Sequence, residues 1–280
     1  MPGKRKSDGK KLPDSAVLMR NFFVNRDRNP LLEAQELVYL AWESTNRRER
    51  VALAKQALEV CSDCADAYVL LAEESANSYE KARQYYTEGV KAAERAIGQE
   101  RFRSWAGGFW GVLETRPYMR ARAGLAVCCW EAGDREEAME HAWALLKLNP
   151  NDNQGIRYLL ANWLLAERCE ADLKKLFRQY RNDPTAAWLF NRALWAFKSE
   201  GPGRKAATAV KEAIAANPHV LSFLLGLVPV PKHGPDRYAM GSEEEAAAYA
   251  SDALSNWRNA PYALDWLREF RGEKTSKKRP

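Results

Sequence analysis

The sequence predicts an all-α protein built from stacked helical hairpins. Three dipeptides carry the main observation: Asn149-Pro150, Asp183-Pro184 and Asn217-Pro218 place their prolines at a regular spacing of 34 residues. Each segment between two of these prolines has the apolar periodicity of two amphipathic helices. Because proline lacks an N–H and clashes with the preceding helical turn, each of the three ends the second helix of a hairpin.

When the proline is placed at position 32 of a repeat, the pattern resembles the tetratricopeptide repeat, which has the same period. That repeat has large residues at positions 4, 7 and 11 and small ones at 8, 20 and 27. The unit Met119–Asp152 matches best, with Ala126 at position 8 and Ala138 at position 20. Small residues there let two helices approach closely. The next unit has Asp172 and Gln179 at positions 20 and 27, so we expect looser packing of its second helix.

The predicted fold class is an all-α, right-handed, tetratricopeptide-like helical-hairpin solenoid with C-terminal capping helices. We expect one domain at 14–271 between two disordered basic tails at 1–13 and 272–280. The domain divides into repeats at about 31–62, 63–97, 119–152, 153–186 and 187–220, an insert at 98–116 and a C-terminal cap at 221–271. A solenoid of this kind has a concave surface, which is its usual binding surface.

The first repeat begins at Asn29-Pro30, because proline is favoured in the first turn of a helix. We expect its first helix to run to about Thr45, with Leu37, Leu40 and Ala41 facing the core. The second repeat follows after 31 residues rather than 34. Its turns are therefore expected to be tighter.

An aromatic insert at 98–116 interrupts the repeats. It contains Phe102, Trp105, Phe109 and Trp110 near three glycines. Insertions in solenoids form loops on one face, and such loops often bind partners. Two interpretations remain open: Trp105, Phe109 and Trp110 are secondary binding candidates, or these rings fill a gap beside the repeats.

The C-terminal cap begins with the apolar stretch Leu221–Leu227 and a long loop at 228–241. Ser242 and Glu245 have the spacing of a capping box and predict a helix from Ser242 to about Trp257. A last helix is expected at Tyr262–Phe270, where Gly272 ends it.

One group of residues is more specific than the repeat pattern. It comprises Asn217-Pro218-His219-Val220, Phe223-Leu224-Leu225, Gly241, Glu245-Ala246, Ala248-Tyr249-Ala250, Trp257 and Ala263-Leu264, together with Leu70-Leu71-Ala72-Glu73-Glu74 and the stretch from Tyr118 to Gly124. The chain resembles the suppressor of tumorigenicity 7 family in these residues, over about 47–267. The resemblance implies tetratricopeptide-like regions and no established biochemical activity. Animal members are described as membrane proteins, but this sequence has no apolar run of about 18–20 residues, so we do not carry membrane residence over.

The composition predicts a folded protein in a reducing compartment. Hydrophobic residues make up 46% of the 280 positions, and five cysteines, an odd number, argue against a disulfide framework. The net charge of +6 is concentrated at the ends: residues 1–13 carry +4 and 272–280 carry +3, which leaves the body at −1. We therefore expect a cytoplasmic protein whose basicity lies in two tails.

The sequence offers little chemistry for catalysis. We assign His141, His219 and His233 no partner at metal-ligand or i, i+4 spacing and expect ordinary structural or surface roles for them. Cys61 and Cys64 form a lone C-x-x-C pair, and Cys128-Cys129 are expected in the core. No phosphate-binding, dinucleotide-binding, zinc-protease or nucleophile-elbow motif occurs. We predict no enzyme, no cofactor and no metal site.

The expected function is a protein-interaction scaffold that binds a peptide segment in the concave groove. The groove positions of three repeats hold aromatic, amide and basic side chains suited to a peptide: Arg120, Trp130, Gln154, Arg157, Trp188, Asn191 and Trp195. They are not the Lys/Asn carboxylate clamp of some tetratricopeptide proteins, because position 5 holds Ala123, Arg157 and Asn191. Some of these tryptophans could instead belong to the core. The alternative function is binding of a polyanion, nucleic acid or an anionic surface, through the basic tails.

Overall fold

The computed structural model describes residues 29–231 and 237–270, which contain fourteen α-helices and no strands. Most helices pack against their neighbours in sequence, so the predicted all-α class of packed helical hairpins is confirmed. The helices fall into two compact units, with the boundary between Gly98 and Gln99. One continuous array over 14–271 stays a prediction, and the tails at 1–13 and 272–280 lie outside the described residues.

The first unit consists of two hairpins. Its helices are α1 (Pro30–Glu43), α2 (Arg47–Val60), α3 (Ala65–Ser75) and α4 (Tyr79–Ile97). The side chains of Asn29, Asn46 and Ser78 accept hydrogen bonds from the first turns of α1, α2 and α4. These caps satisfy N–H groups that have no partner within the helix.

Small residues line the contact between α1 and α2. Ala34, Ala41, Ala54 and Ala57 are fully buried, which allows the two helix axes to approach closely. Leu40 was predicted to face the core, but 49% of its surface is exposed. The buried positions of α1 are 34, 38 and 41. Neighbouring residues point about 100° apart around a helix, so position 40 faces away from this line.

The second unit begins at Gln99. Its helices are α5 (Gln99–Ser104), α6 (Arg116–Ala132), α7 (Arg135–Leu148), α8 (Ile156–Ala166), α9 (Glu170–Gln179), α10 (Ala186–Glu200), α11 (Arg204–Ala216), α12 (Val220–Leu224), α13 (Glu243–Arg258) and α14 (Ala263–Glu269). Hairpins form from α6 and α7, α8 and α9, and α10 and α11. Pro150, Pro184 and Pro218 lie in the connections that follow α7, α9 and α11.

The aromatic insert folds as α5 and two short 3₁₀ turns, Phe109–Gly111 and Leu113–Thr115. Phe109 is fully buried, and its ring meets Phe102 and Tyr118 edge to face. This geometry is favourable for aromatic pairs. The insert therefore packs onto the beginning of α6 through its aromatic residues.

The C-terminal cap packs on the repeats through α13. This helix contacts α8 and α10 as well as α12 and α14. The side chain of Ser242 accepts a hydrogen bond from the N–H of Glu245 at its start, as the capping pattern predicts. Helix α13 thus covers a face of α8 and α10 that bears repeat positions assigned to the concave groove.

Candidate functional site

A cleft of about 1010 Å³ lies in the second unit, between α8, α9, α10 and α14. We call it the aromatic cleft and define it by Leu173, Trp195, Phe197, Trp266, Arg168 and Lys198. The rings of Phe197 and Trp266 stack with centroids 4.7 Å apart, and Trp195 packs against Phe177 at 5.6 Å. Its volume is at the upper end of the range for small-molecule and cofactor sites.

Two cations lie in the aromatic cleft. Burial lowers the pKa of Lys198, and the positive charge of nearby Arg168 lowers it further. The Lys198 ammonium donates a 2.6 Å hydrogen bond to the carbonyl of Leu165, while Arg168 makes no ion pair within the described part of the chain. The carboxylates of Glu170, Asp265 and Glu269 also line the aromatic cleft, so its charge is mixed, and an anionic group is favoured only next to Arg168 and Lys198.

The indole N–H of Trp195 is buried and has no hydrogen-bond partner among the described residues. Buried donors are nearly always paired in folded proteins. On the rim of the aromatic cleft, Arg268 forms an ion pair with Asp265. The aromatic cleft therefore combines apolar rings with charged side chains of both signs, and the indole N–H of Trp195 is enclosed beside it.

A second, smaller pocket of about 480 Å³ lies between α8, the start of α10 and α13. We call it the polar pocket and define it by Asp152, Arg157, Tyr158, Asn162, Tyr238 and Tyr249. Arg157 connects two carboxylates there: its Nε lies 2.6 Å from Asp183 Oδ2 and its Nη1 3.0 Å from Asp152 Oδ2. Asp152 also accepts hydrogen bonds from the N–H groups of Ile156 and Arg157, which caps α8.

The two carboxylates bound to Arg157 differ in pKa because their surroundings differ. Burial raises the pKa of Asp152 more than its hydrogen bonds lower it. Burial also acts on Asp183, but hydrogen bonds from Thr185 and Arg157 outweigh it and lower its pKa. Burial raises the pKa of Tyr158 to about 12, so its hydroxyl stays protonated and donates to Asp183. These groups are therefore engaged with one another.

Glu245 links the cap to the repeats. Its Oε1 accepts a hydrogen bond from the N–H of Ala186. Its Oε2 accepts from the side-chain amide of Asn217 and from the N–H of Gly241. Asn217, Gly241 and Glu245 thus hold α13 against the start of α10. All three belong to the group of residues in which the chain resembles the family most specifically.

A chain of buried hydrogen bonds runs behind the polar pocket. Asn191 donates to the side-chain oxygen of Asn162 at 2.9 Å and accepts from the hydroxyl of Tyr249 at 3.1 Å. The Tyr249 hydroxyl accepts in turn from the indole of Trp257 at 2.8 Å. Burial raises the pKa of Tyr249, which keeps the hydroxyl available as a donor.

The structure distributes the predicted groove residues over several environments. Trp188 and Asn191 are fully buried and present no surface to a partner in this conformation. Trp188 is surrounded by the rings of Tyr158, Phe177 and Tyr180. Trp188 is therefore a core residue, as the alternative interpretation of the groove tryptophans expected.

The other predicted groove residues are partly exposed. Gln154 and Arg157 line the polar pocket, and Trp195 lines the aromatic cleft. Trp130 stacks on Trp163 at 4.8 Å on one side and lies under the guanidinium of Arg135 on the other. Arg120 is half-buried on α6. A role for these residues in binding a partner stays a prediction.

The secondary candidates lie in the aromatic insert. Phe109 is buried, whereas Trp105 and Trp110 are half-buried. Trp110 lies against the guanidinium of Arg116 at 5.1 Å, and Trp105 against that of Arg101 at 5.9 Å. Both indoles therefore already have a cationic neighbour within the insert.

The aromatic cleft contains residues that sequence reasoning missed. Arg168, Phe197, Lys198 and Trp266 were not predicted as binding residues. Lys198 lies three positions after Trp195 on α10, so helical spacing alone places the two on one side of the helix. Trp266 belongs to α14, and no sequence signal indicates which hairpin a cap helix will contact.

One thiol of the cysteine pair in the first unit is enclosed in the core. Cys64 is fully buried, and burial raises the pKa of its thiol to about 12. A thiol must lose its proton to act as a nucleophile or metal ligand, so Cys64 is not activated at neutral pH. In the second unit, Cys128 and Cys129 are buried as expected.

The assignment of no partner to His141 is wrong. Glu137 precedes it by one helical turn, and Glu137 Oε1 lies 3.6 Å from His141 Nε2. Cys129 completes a group of three, whose ligand atoms lie within 4.8 Å of one another. His219 is exposed, and His233 lies outside the described residues.

None of the helices in residues 29–231 and 237–270 combines the length and the apolar character that a membrane crossing requires.

Comparison with known proteins agrees with the resemblance in sequence. The family model described as "ST7 protein" matches residues 13–187. A chicken (Gallus gallus) protein named suppressor of tumorigenicity 7 protein-like is 30% identical over 278 residues, which cover 90% of this chain and 49% of the relative. The human protein of the same name is 29% identical, with 88% and 46% covered, and the Drosophila pseudoobscura protein ST7 homolog is 28% identical, with 84% and 48% covered. The chain thus spans about half the length of these curated relatives. Because the family model matches more than half of the residues, this chain belongs to the ST7 protein family.

Proposed function

We propose that the chain is a non-catalytic interaction protein that binds a peptide segment, and that the aromatic cleft is where the peptide docks. The observation that carries the proposal is the position of Trp195, a predicted groove residue, in a cleft of about 1010 Å³ with Phe197 and Trp266. Clustered aromatic side chains supply large, rigid apolar area, and such residues dominate the affinity of many interfaces.

The charges of the aromatic cleft indicate the chemistry of the peptide. Arg168 and Lys198 lie close enough for one charge to lower the pKa of the other. A carboxylate between them would relieve this repulsion and form charge-assisted hydrogen bonds. The peptide that fits best carries an acidic residue, or its own C-terminal carboxylate, next to an aromatic or aliphatic side chain.

The polar pocket supports a non-catalytic function. The charged groups around Arg157 are engaged in bonds that hold the fold, because Arg157 binds both Asp152 and Asp183 and the hydroxyl of Tyr158 donates to Asp183. A general acid or base needs a titratable group within hydrogen-bond reach of a substrate. Asp152, Asp183 and Tyr158 are bonded in this way, whereas the carboxylate of Asp252, which also lines the polar pocket, is outside this network.

Selection from a displayed peptide library with the full chain as bait tests this proposal. We expect enriched peptides to combine an acidic residue or a free C-terminus with an aromatic or aliphatic neighbour. A selected peptide should lose about tenfold or more in affinity for Arg168→Glu, since a hydrogen bond to a charged group contributes about 1.5–3 kcal/mol. Trp195→Ala should weaken binding to a similar extent.

Arg178→Glu is the matched control, because Arg178 is an exposed residue of α9 that does not line the aromatic cleft. It makes the same change in charge and should leave affinity unchanged. Equal binding to the wild-type chain, Arg168→Glu and Trp195→Ala would show that the peptide docks elsewhere. Binding that all these variants retain and that disappears at high salt would favour the polyanion alternative through the basic tails.

A further inference from the structure

The hairpin of α6 and α7 brings together three side chains with metal-ligand chemistry. Cys129 comes from α6, and Glu137 and His141 lie one turn apart on α7. The thiol sulfur, a carboxylate oxygen and a ring nitrogen all lie within 4.8 Å of one another. Packing of the two helices of the hairpin brings the group together, because Cys129 lies on α6 eight positions before Glu137 on α7.

His141 distinguishes this group from an ordinary cluster of polar residues. Both of its ring nitrogens are buried, and neither has a hydrogen-bond partner within the described residues. Buried polar atoms without a partner are rare and destabilising, so each needs an explanation. Glu137 Oε1, at 3.6 Å from Nε2, is too far for a hydrogen bond but lies at a distance that a shared ion would bridge.

We propose that Cys129, Glu137 and His141 bind a zinc ion, with water as the fourth ligand. Thiolate, imidazole and carboxylate are the donors that zinc uses in proteins, at about 2.0–2.3 Å. In a tetrahedron these bond lengths place neighbouring donors roughly 3.3–3.8 Å apart. The separation of 3.6 Å between Glu137 and His141 already matches, and the thiol needs only a small approach.

Charge and access are consistent with this ion. Binding releases one proton from the Cys129 thiol to solvent, and the thiolate and the Glu137 carboxylate then balance the two positive charges of zinc. The side chain of Glu137 is 41% exposed, which gives the ion and its water a path from solvent.

Metal titration of the full chain after dialysis against a chelator tests the proposal. We expect one equivalent of zinc to bind, and cobalt in its place to show the near-ultraviolet charge-transfer band of a single thiolate ligand. His141→Ala and Glu137→Gln should each lower the affinity for zinc by about tenfold or more, since each removes one of three protein ligands. Each should also lose the shift in melting temperature that zinc causes in the wild-type chain.

Two cysteine variants serve as controls. Cys128→Ser removes the neighbouring buried thiol, and Cys61→Ser removes one thiol of the C-x-x-C pair; both should keep zinc affinity and the cobalt band. A band that persists in His141→Ala and disappears in Cys61→Ser would overturn the proposal, as would less than about a tenth of an equivalent of bound zinc. Glu137→Gln changes a partly exposed side chain, so it reports on the metal even if His141→Ala fails to fold.

Discussion

The carboxylate of Glu245 accepts a 3.0 Å hydrogen bond from the backbone N–H of Ala186, 59 residues earlier in the chain. Ala186 is the first residue of α10, so a side chain of the cap satisfies a backbone donor of the last repeat. The same carboxylate accepts from Asn217 and Gly241, and only 3% of Glu245 is exposed. Three donors, two of them in buried hydrogen bonds, therefore share this one carboxylate.

Glu245→Ala should lower the free energy of unfolding by about 3 kcal/mol or more, because each unsatisfied buried donor costs about 1–3 kcal/mol. Glu245→Gln should lower the free energy of unfolding by a smaller amount, because the amide keeps one oxygen acceptor. It should still destabilise the fold, because its NH₂ group then faces N–H donors. Urea denaturation measures both. Glu244→Gln, on an exposed neighbour, is the control; a loss as large as that for Glu245→Ala would contradict this account.

Arg157→Met should destabilise the fold by about 3–5 kcal/mol, because it leaves the buried carboxylates of Asp152 and Asp183 without their cation. Chemical denaturation at neutral pH gives the value, with Arg178→Met as an exposed control. A change below about 1 kcal/mol would mean that water replaces the guanidinium. An Arg157 variant is therefore unsuitable for testing peptide binding, since it alters the fold itself.

Trp188→Ala and Trp195→Ala should differ in their effect on stability. Trp188 is fully buried among three aromatic rings, and its removal should cost about 3–5 kcal/mol. Trp195 lines the aromatic cleft, and its removal should cost about 1–2 kcal/mol. Thermal unfolding of the two variants beside the wild-type chain measures this; equal losses would place Trp195 in the core as well.

An acidic peptide should lose affinity for the aromatic cleft as the pH rises. The loss should begin at a lower pH than it would if the cleft held an ordinary, exposed lysine. Burial and Arg168 lower the pKa of Lys198, and only the protonated amine attracts a carboxylate. Affinity should therefore fall as the pH rises through this lowered pKa, before the ordinary lysine value of about 10.4 is reached. Titration calorimetry over pH would follow it. Lys198→Arg should remove the decline, and a decline that persists would assign it to another group.

The sequence predicted the hairpins because their signals are local. Pro150 and Pro218 directly follow the C-caps of α7 and α11, where their backbone geometry stops the helix without any tertiary contact. The expectation was wrong for Pro184, because α9 already ends at Gln179. Gly133, with φ of 95°, likewise ends α6 in a left-handed conformation that glycine adopts without strain. Signals of this kind can be recognised from the sequence because they do not depend on tertiary contacts.

The predicted groove depended on contacts that are not local. Repeat position 5 assigns Asn191 to a concave surface, but Tyr249 of α13 bonds to it, and α13 covers that face of α10. The period of a repeat shows which residues share a face, but it does not show that a later helix of the same chain occupies it. Glu137 and His141, in contrast, are one helical turn apart, and their proximity could have been recognised from the sequence.

The hydrogen bonds from α13 have a practical consequence for dissecting this chain. Asn256 donates to the carbonyl of Asn162 across 94 positions, while the match to the family model ends at 187. A fragment cut at that end would lose Tyr249, Asn256 and Glu245, and polar atoms enclosed by them would face solvent or remain unpaired. The match to the family model therefore ends before residues that bond to the matched stretch, and expression or proteolysis experiments should keep the second unit whole through residue 270.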